Sequence, residues 1–135
     1  MSQAAQIEAS TEVSSSTQRP GQIALSVNES PVLQAWEASS FVARLRGLHA
    51  VPELCNNDAL IIKPCDAIHT LTMKHAIDVV FVDEHGVIVK AVSVERFRFV
   101  RCQGAVAAIE MCEGMIEKLG LEPGQTIERP SGSWK

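Results

Sequence analysis

The chain has 135 residues, of which 46% are hydrophobic and 21% are charged, and its formal net charge is -4 at pH 7. This length gives room for one domain with one apolar core. Proteins that bind nucleic acid through its phosphates cluster lysine and arginine, so the negative charge predicts no nucleic-acid partner. The apolar runs are far shorter than the roughly 20 residues of a membrane-spanning helix, which predicts no membrane span.

The N-terminal residues differ in composition from the remainder of the chain. Residues 1–21 are rich in serine, threonine and glutamine. They offer too little apolar surface to offset the entropy lost on ordering, so we expect a disordered polar tail. They lack the basic start and apolar stretch of a secretion signal, which predicts a cytoplasmic location. We expect a single globular domain over residues 22–128 and a short C-terminal tail over residues 129–135.

The first half of the domain shows three predicted elements. Residues 22–27 alternate apolar and polar side chains with the two-residue period of a half-buried strand. Residues 32–46 repeat apolar side chains at spacings near three and four, which predicts a helical segment that Asn28 or Ser30 would cap. Residues 59–62 form a short β-rich run after a polar turn and predict another strand.

The second half begins with the clearest local pattern. Two β-branched runs, at residues 77–82 and 87–92, flank a polar loop that ends in Gly86, and they predict a hairpin. Glycine is favoured at the end of such a loop because the backbone there adopts a positive φ. Residues 96–101 and 105–111 predict two further strands.

Residues 113–120 predict a short helix, because Met115, Ile116 and Leu119 share one face and Gly120 follows them. Together these elements predict one α+β domain. We expect a mostly antiparallel sheet that curls toward a small barrel, with two short helical segments near residues 32–46 and 113–120.

Four side chains are candidate metal ligands. Cys65, His69 and Met73 lie close together in sequence, and folding could bring Cys102 beside them. Thiolate, imidazole and thioether groups together suit zinc or copper(I). Two alternatives stay open: the cysteines are small buried hydrophobes, or they form a disulfide or a redox-responsive thiol pair. The default expectation is therefore no cofactor, with zinc or copper as the alternative.

Three other side chains are candidates for binding a ligand or a partner. Arg44 and Arg46 carry guanidinium groups that can bind a carboxylate or phosphate, or pair with acidic residues of the chain itself. Asp78 lies between Ile77 and Val79, so a regular strand points it to the face opposite both. It could organise buried hydrogen bonds, face solvent, or act as a general base. His69, already named as a candidate metal ligand, is also a candidate for binding a ligand or a partner.

A basic and aromatic stretch lies farther along the chain. Arg96, Arg98 and Arg101 alternate with Phe97 and Phe99 or follow them closely. Such a stripe can meet an acidic partner, or it can protect an edge strand from pairing.

Several separated motifs resemble one protein family. They are residues 44–48 (RLRGL), 65–73 (CDAIHTLTM), 77–83 (IDVVFVD), 102–105 (CQGA), 109–110 (IE), Gly114 and 119–124 (LGLEPG). In this order they resemble the domain of unknown function 192 family over about residues 38–128. The sequence departs from the family at His49-Ala50-Val51, Leu71 and His75.

The resemblance implies a compact, β-rich α+β domain with no assigned reaction. It also implies an envelope-linked or pilus-assembly accessory role, since genes of the branch it resembles often lie beside those for Tad-type pili. The phosphate-binding loop, dinucleotide fingerprint, zinc-protease motif and serine-hydrolase motif are absent from the sequence. The leading interpretation is a non-enzymatic accessory or binding module with an unknown protein partner or a small anionic ligand. The alternatives are a metal-binding or redox-sensing thiol site and, more weakly, a small hydrolase or lyase using Asp78 or His69.

Overall fold

The computed structural model describes residues 19–38, 57–69 and 75–135. This part of the chain contains eight strands and one helix. They are β1 (Ile23–Val27), β2 (Ser30–Ala38), β3 (Asp58–Ile62), β4 (Ala67–His69), β5 (Ile77–Val82), β6 (Ile88–Val94), β7 (Phe99–Arg101), β8 (Ala107–Cys112) and α1 (Met115–Leu119).

Six strands form one mixed sheet in the order β1-β2-β3-β8-β5-β6. β2 and β3 pair in parallel, and the other neighbours are antiparallel. β4 and β7 form a separate antiparallel pair. The predictions of a β-rich α+β domain, of the hairpin β5–β6 and of the helix near residues 113–120 are confirmed.

The central strands are buried on both faces. On the face that we call the helix face, Ile61, Ile109 and Val80 belong to the same apolar cluster as Met115 of α1. On the opposite face, the β4–β7 pair packs against the sheet, because Ile68 and Cys102 belong to one cluster with residues of β5, β6 and β8. β3 and β5 are therefore buried at every position.

The predicted helix near residues 32–46 is wrong where the structure describes it, because residues 30–38 form the strand β2. The chain turns at Asn28 and Glu29, both with positive φ (53° and 68°), which fits a tight two-residue hairpin between β1 and β2. β2 then lies between β1 and β3, and its two faces contribute to different clusters. Apolar residues on both faces of one strand give irregular spacings that imitate a helical period.

The described strands do not close into a barrel, contrary to the predicted barrel-like curl. The edge strands β1 and β6 are not paired with each other. Residues near the C-terminus lie between them and make only single bridges, from Glu128 to Ser26 and from Thr126 to Val87. Proline at position 123 and glycine at position 124 make a turn just before this segment, which limits how far a strand could extend toward the N-terminus.

The last residues of the chain pack onto the core. Trp134 is 4% exposed, belongs to the helix-face cluster and donates a hydrogen bond from its indole N–H to the carbonyl of Ile127 (3.2 Å). Arg129 stacks on the Trp134 ring at 5.0 Å and pairs with Glu37 of β2. Within residues 19–38, 57–69 and 75–135, no helix is long and apolar enough to cross a membrane.

Gly86 allows this packing, and substituting it is expected to destabilise the fold. Its φ is +83°, and a Cβ there would lie 2.5 Å from both the Ile127 carbonyl oxygen and the Trp134 indole nitrogen. We expect Gly86→Ala to lower the free energy of unfolding by about 2–4 kcal/mol in urea denaturation, because backbone strain adds to the clash. Gly104→Ala is the matched control: its φ is +95° and nothing lies within 4 Å. Equal losses at the two positions would contradict the proposed role of packing at Gly86.

Candidate functional site

Asp78 organises the start of the helix. The residue is 1% exposed and points to the helix face of β5. Its Oδ2 accepts hydrogen bonds from the backbone N–H groups of Gly114 (3.0 Å) and Ile116 (2.8 Å), and its Oδ1 accepts one from the Ser93 hydroxyl (2.6 Å). These amides begin α1 and have no partner within the helix, so the carboxylate both caps the helix and opposes its dipole.

Glu110 is a buried carboxyl group whose importance the sequence analysis missed. It lies on the opposite face of β8, beside Leu60 of β3 and Val79 of β5. It is 2% exposed, and its Oε1 has no hydrogen-bond partner in the described part of the chain. Burial raises the pKa of Glu110 to about 7. The available signal was a single carboxylate inside the apolar run of residues 105–111.

Two of the four predicted metal ligands lie near each other. Cys102 is buried in the cluster under the β4–β7 pair, and Cys65 packs against that cluster. The Cys65 thiol donates to the Ala67 carbonyl (3.1 Å). Burial raises the pKa of the Cys102 thiol; the nearby Asp66 carboxylate raises it further, while Lys90 acts in the opposite direction. A raised pKa disfavours the thiolate that ligand and redox chemistry require.

The structure describes little of the other predicted site residues. Met73, Arg44 and Arg46 lie outside the described residues, and of His69 only the backbone is described, paired with Phe99. Among the described residues, no group of three or more His, Cys, Asp or Glu side chains is placed to hold a metal ion. The zinc or copper site stays a prediction.

Among the described residues, the most exposed large apolar side chains lie in β7 and in the turn before it. Phe97 is 61% exposed and Phe99 is 68% exposed. Together with Arg96, Arg98 and Arg101, all of them exposed, they form a surface that we call the β7 surface. The sequence pattern suggested the arginines, but it did not show that both aromatic rings would face solvent.

Charged contacts within the β7 surface are loose. Arg98 faces Glu95 and Arg101 faces Asp66, each at 3.7 Å and well exposed to solvent. Exposed pairs of this kind contribute little to stability. The Arg96 guanidinium lies 4.8 Å from the centroid of the Phe97 ring, a cation–π distance. A partner that engaged the guanidinium groups of Arg96 and Arg101 would therefore disturb only weak contacts of the fold.

Comparison with known families and structures gives a family and a fold. The family described as DUF192, Uncharacterized ACR, matches residues 6–129 of the chain. No curated protein matches the sequence.

Two crystal structures share the fold. One is described as a "putative transcription regulator" from Sinorhizobium meliloti 1021; it is 14% identical, with a TM-score of 0.68 over 80% of this chain and 92% of that one. The other is a protein of unknown function from Novosphingobium aromaticivorans DSM 12444, 16% identical, with a TM-score of 0.66 over 83% of this chain and 91% of that one. At these identities the likeness shows the fold alone.

Removing the Asp78 carboxylate is expected to destabilise the protein. Asp78→Ala leaves two backbone amides and one hydroxyl without their acceptor, so we expect the free energy of unfolding to fall by about 2–4 kcal/mol. Ser93→Ala removes only one of the three donors and should cost about 1 kcal/mol. Both values come from urea denaturation at pH 7. A loss for Asp78→Ala no greater than for Ser93→Ala would contradict the capping role.

Glu110 makes stability depend on pH. An unfolded glutamate ionises near pH 4.5, whereas the folded group holds its proton until about pH 7. The unfolded state therefore binds fewer protons between these values, and stability falls as the pH rises through them, by about 3 kcal/mol in total. Glu110→Gln cannot ionise, so we expect it to gain stability relative to the wild type between pH 5 and pH 8. A difference that stays constant across this range in urea denaturation would refute the assignment.

Proposed function

The chain belongs to the DUF192 family, and we propose that it is a non-enzymatic accessory module that binds an acidic surface of a protein partner. The observation that carries the proposal is the β7 surface, where Phe97 and Phe99 are exposed among three arginines. Aromatic residues and arginine are the side chains that protein interfaces favour, and they supply most of the energy at such interfaces.

The two rings are not needed by the fold. Phe97 and Phe99 belong to none of the buried clusters, whereas their neighbour Val100 packs inward. Covering a phenylalanine ring stabilises a complex by about 2 kcal/mol, and each ring still offers more than half of its surface. Arg44 and Arg46 lie outside the described residues and are proposed as a second contact for the same kind of partner.

The buried carboxyl group of Asp78 supports this non-enzymatic function. Both of its oxygens accept hydrogen bonds from groups of the fold, and the residue is 1% exposed. A general base needs to reach a proton on a substrate, and a side chain of a residue that is 1% exposed offers almost no surface for that contact. The family resemblance supports a partner from envelope or pilus assembly, and the β7 surface supports an acidic partner.

Charge reversal on the β7 surface tests the proposal. We expect a displayed library of random peptides to yield acidic sequences that bind the wild-type protein, and Arg96→Glu/Arg98→Glu to weaken their binding at least tenfold in isothermal titration. The physical reason is that the substitution replaces attraction of the peptide carboxylates by repulsion.

The control variant is Lys118→Glu/Lys135→Glu, which changes the net charge by the same amount on exposed lysines of α1 and the C-terminus. It should bind the selected peptides as the wild type does. Selection of neutral or basic sequences, or equal binding by both double variants, would show that the β7 surface does not recognise an acidic partner.

A further inference from the structure

In the part of the chain that the structure describes, one edge of β7 is unpaired, and it offers a specific mode of attachment for the acidic partner; this inference rests on the proposed function. We propose that an extended acidic segment of the partner protein adds as a strand to β7 and covers the rings of Phe97 and Phe99. In strand addition, main-chain hydrogen bonds form along the edge of the strand, and side chains at alternate positions make further contacts.

The backbone of β7 presents hydrogen-bonding groups on the side away from β4. The Cys102 N–H donates to the Asp66 carbonyl (2.8 Å), so the bonded pairs of this ladder include Cys102 and, two residues earlier, Val100. The N–H and C=O groups of Phe99 and Arg101 therefore point to the other edge. In the described ranges, β7 pairs with β4 alone.

The side chains beside this edge suit a partner strand. Alternation along β7 places Val100 against the inner cluster and leaves Phe99 and Arg101 on the outer face. The side chains on one face of an added strand would therefore contact the Phe99 ring. Phe97, in the turn that leads into β7, would meet the end of the same strand.

Phe97 adopts a backbone conformation that is unusual for its side chain. Its φ is 63°, in the left-handed region, where a bulky side chain is unfavourable and glycine or asparagine is common. The ring is 61% exposed, so no burial offsets that cost within the chain. A strained residue that displays an exposed ring is typical of a binding contact held ready for a partner.

Charge selects the kind of strand that can pair. Uncharged apolar strands are the usual hazard at an open edge, and arginines oppose them because a neutral strand would bury the guanidinium groups without a counter-charge. A segment with carboxylates can neutralise Arg96 and Arg101, whose contacts within the chain are an aromatic ring and a loose pair with Asp66. The same arginines thus exclude one class of strand and admit the other.

A peptide fits this edge better than a nucleic acid does. The outward N–H and C=O groups repeat at every second residue, which matches the backbone of another strand and not a sugar-phosphate chain. The whole chain also has a net charge of -4, which repels a polyanion at long range. The partner segment is therefore assigned as protein.

The first test uses a synthetic peptide of alternating glutamate and valine, titrated against the full chain. We expect it to bind, and the matching glutamine and valine peptide to bind at least tenfold more weakly. N-methylation removes backbone donors without changing the side chains. Two peptides are compared, one methylated at the odd-numbered residues and one at the even-numbered residues. One of them should bind at least tenfold more weakly and the other should bind as the unmethylated peptide does, because only one edge of the peptide faces β7.

The second test separates the ring from the strained backbone. Phe97→Gly should weaken binding of the glutamate and valine peptide at least about tenfold, since burial of the ring is lost. It should leave the midpoint of thermal unfolding unchanged or higher, because glycine tolerates the positive φ. Glu29→Gly is the matched control, an exposed residue with φ 68° in the β1–β2 turn, and it should not change peptide affinity.

The outcomes distinguish this inference from the proposed function. Suppose that arginine reversal weakens binding while neither Phe97→Gly nor N-methylation in either register does so: the acidic partner then stands and strand addition is wrong. Tighter binding of a single-stranded oligonucleotide than of the peptide would overturn the protein assignment. Concentration-dependent dimers that the peptide fails to dissociate would show that a second copy occupies the edge.

Discussion

The central strands β3, β8 and β5 are covered on both faces, and this burial constrains every polar group placed on them. β3 and β5 are buried throughout, and β8 is buried up to Met111. A strand with one solvent-exposed face alternates polar and apolar residues, whereas a strand that is buried on both faces does not. A carboxyl group on these strands must therefore find donors inside the protein or keep its proton.

Asp78 and Glu110 show the two outcomes on neighbouring strands. Asp78 faces Met111 across the ladder and points to the helix face, where three donors surround its oxygens. Glu110 faces Val79, points to the opposite face, and has one oxygen without a partner among the described residues. Hydrogen bonds from the protein satisfy the carboxyl oxygens in the first case, whereas burial raises the pKa of Glu110 to about 7 in the second. Equal burial thus leads to a helix cap at one carboxyl and to a proton held near neutrality at the other.

The hairpin β5–β6 could be predicted from the sequence because all of its signals are local. Two β-branched runs and a loop ending in Gly86 define it without knowledge of the remaining chain. The role of Asp78 was within reach only as one of several options, since its donors, Gly114 and Ile116, lie 36 and 38 residues away in sequence. No local pattern states which distant amides a carboxylate will meet.

β2 could not be predicted because its identity as a strand depends on its neighbours. Its apolar residues contribute to two faces, so their spacing fits a helix as well as a strand, and only pairing with β1 and β3 decides between them. The burial of Trp134 was missed for a related reason. A lone tryptophan in a polar tail has no periodicity, and its place in the core follows from the room left by Gly86, a residue 48 positions earlier.

The β7 surface escapes the constraint that governs the central sheet. Among the described residues, the outer side chains of β7, those of Phe99 and Arg101, are exposed and contribute little to the core. Val100 packs against the buried cluster and anchors this segment, while Phe97 and Phe99 stay exposed. Binding residues often lie on such peripheral segments, because a scaffold with a well-packed core can position them while their own identities stay independent of folding. A strained, exposed phenylalanine is tolerated here because the doubly covered sheet supplies the stability that the β7 surface does not.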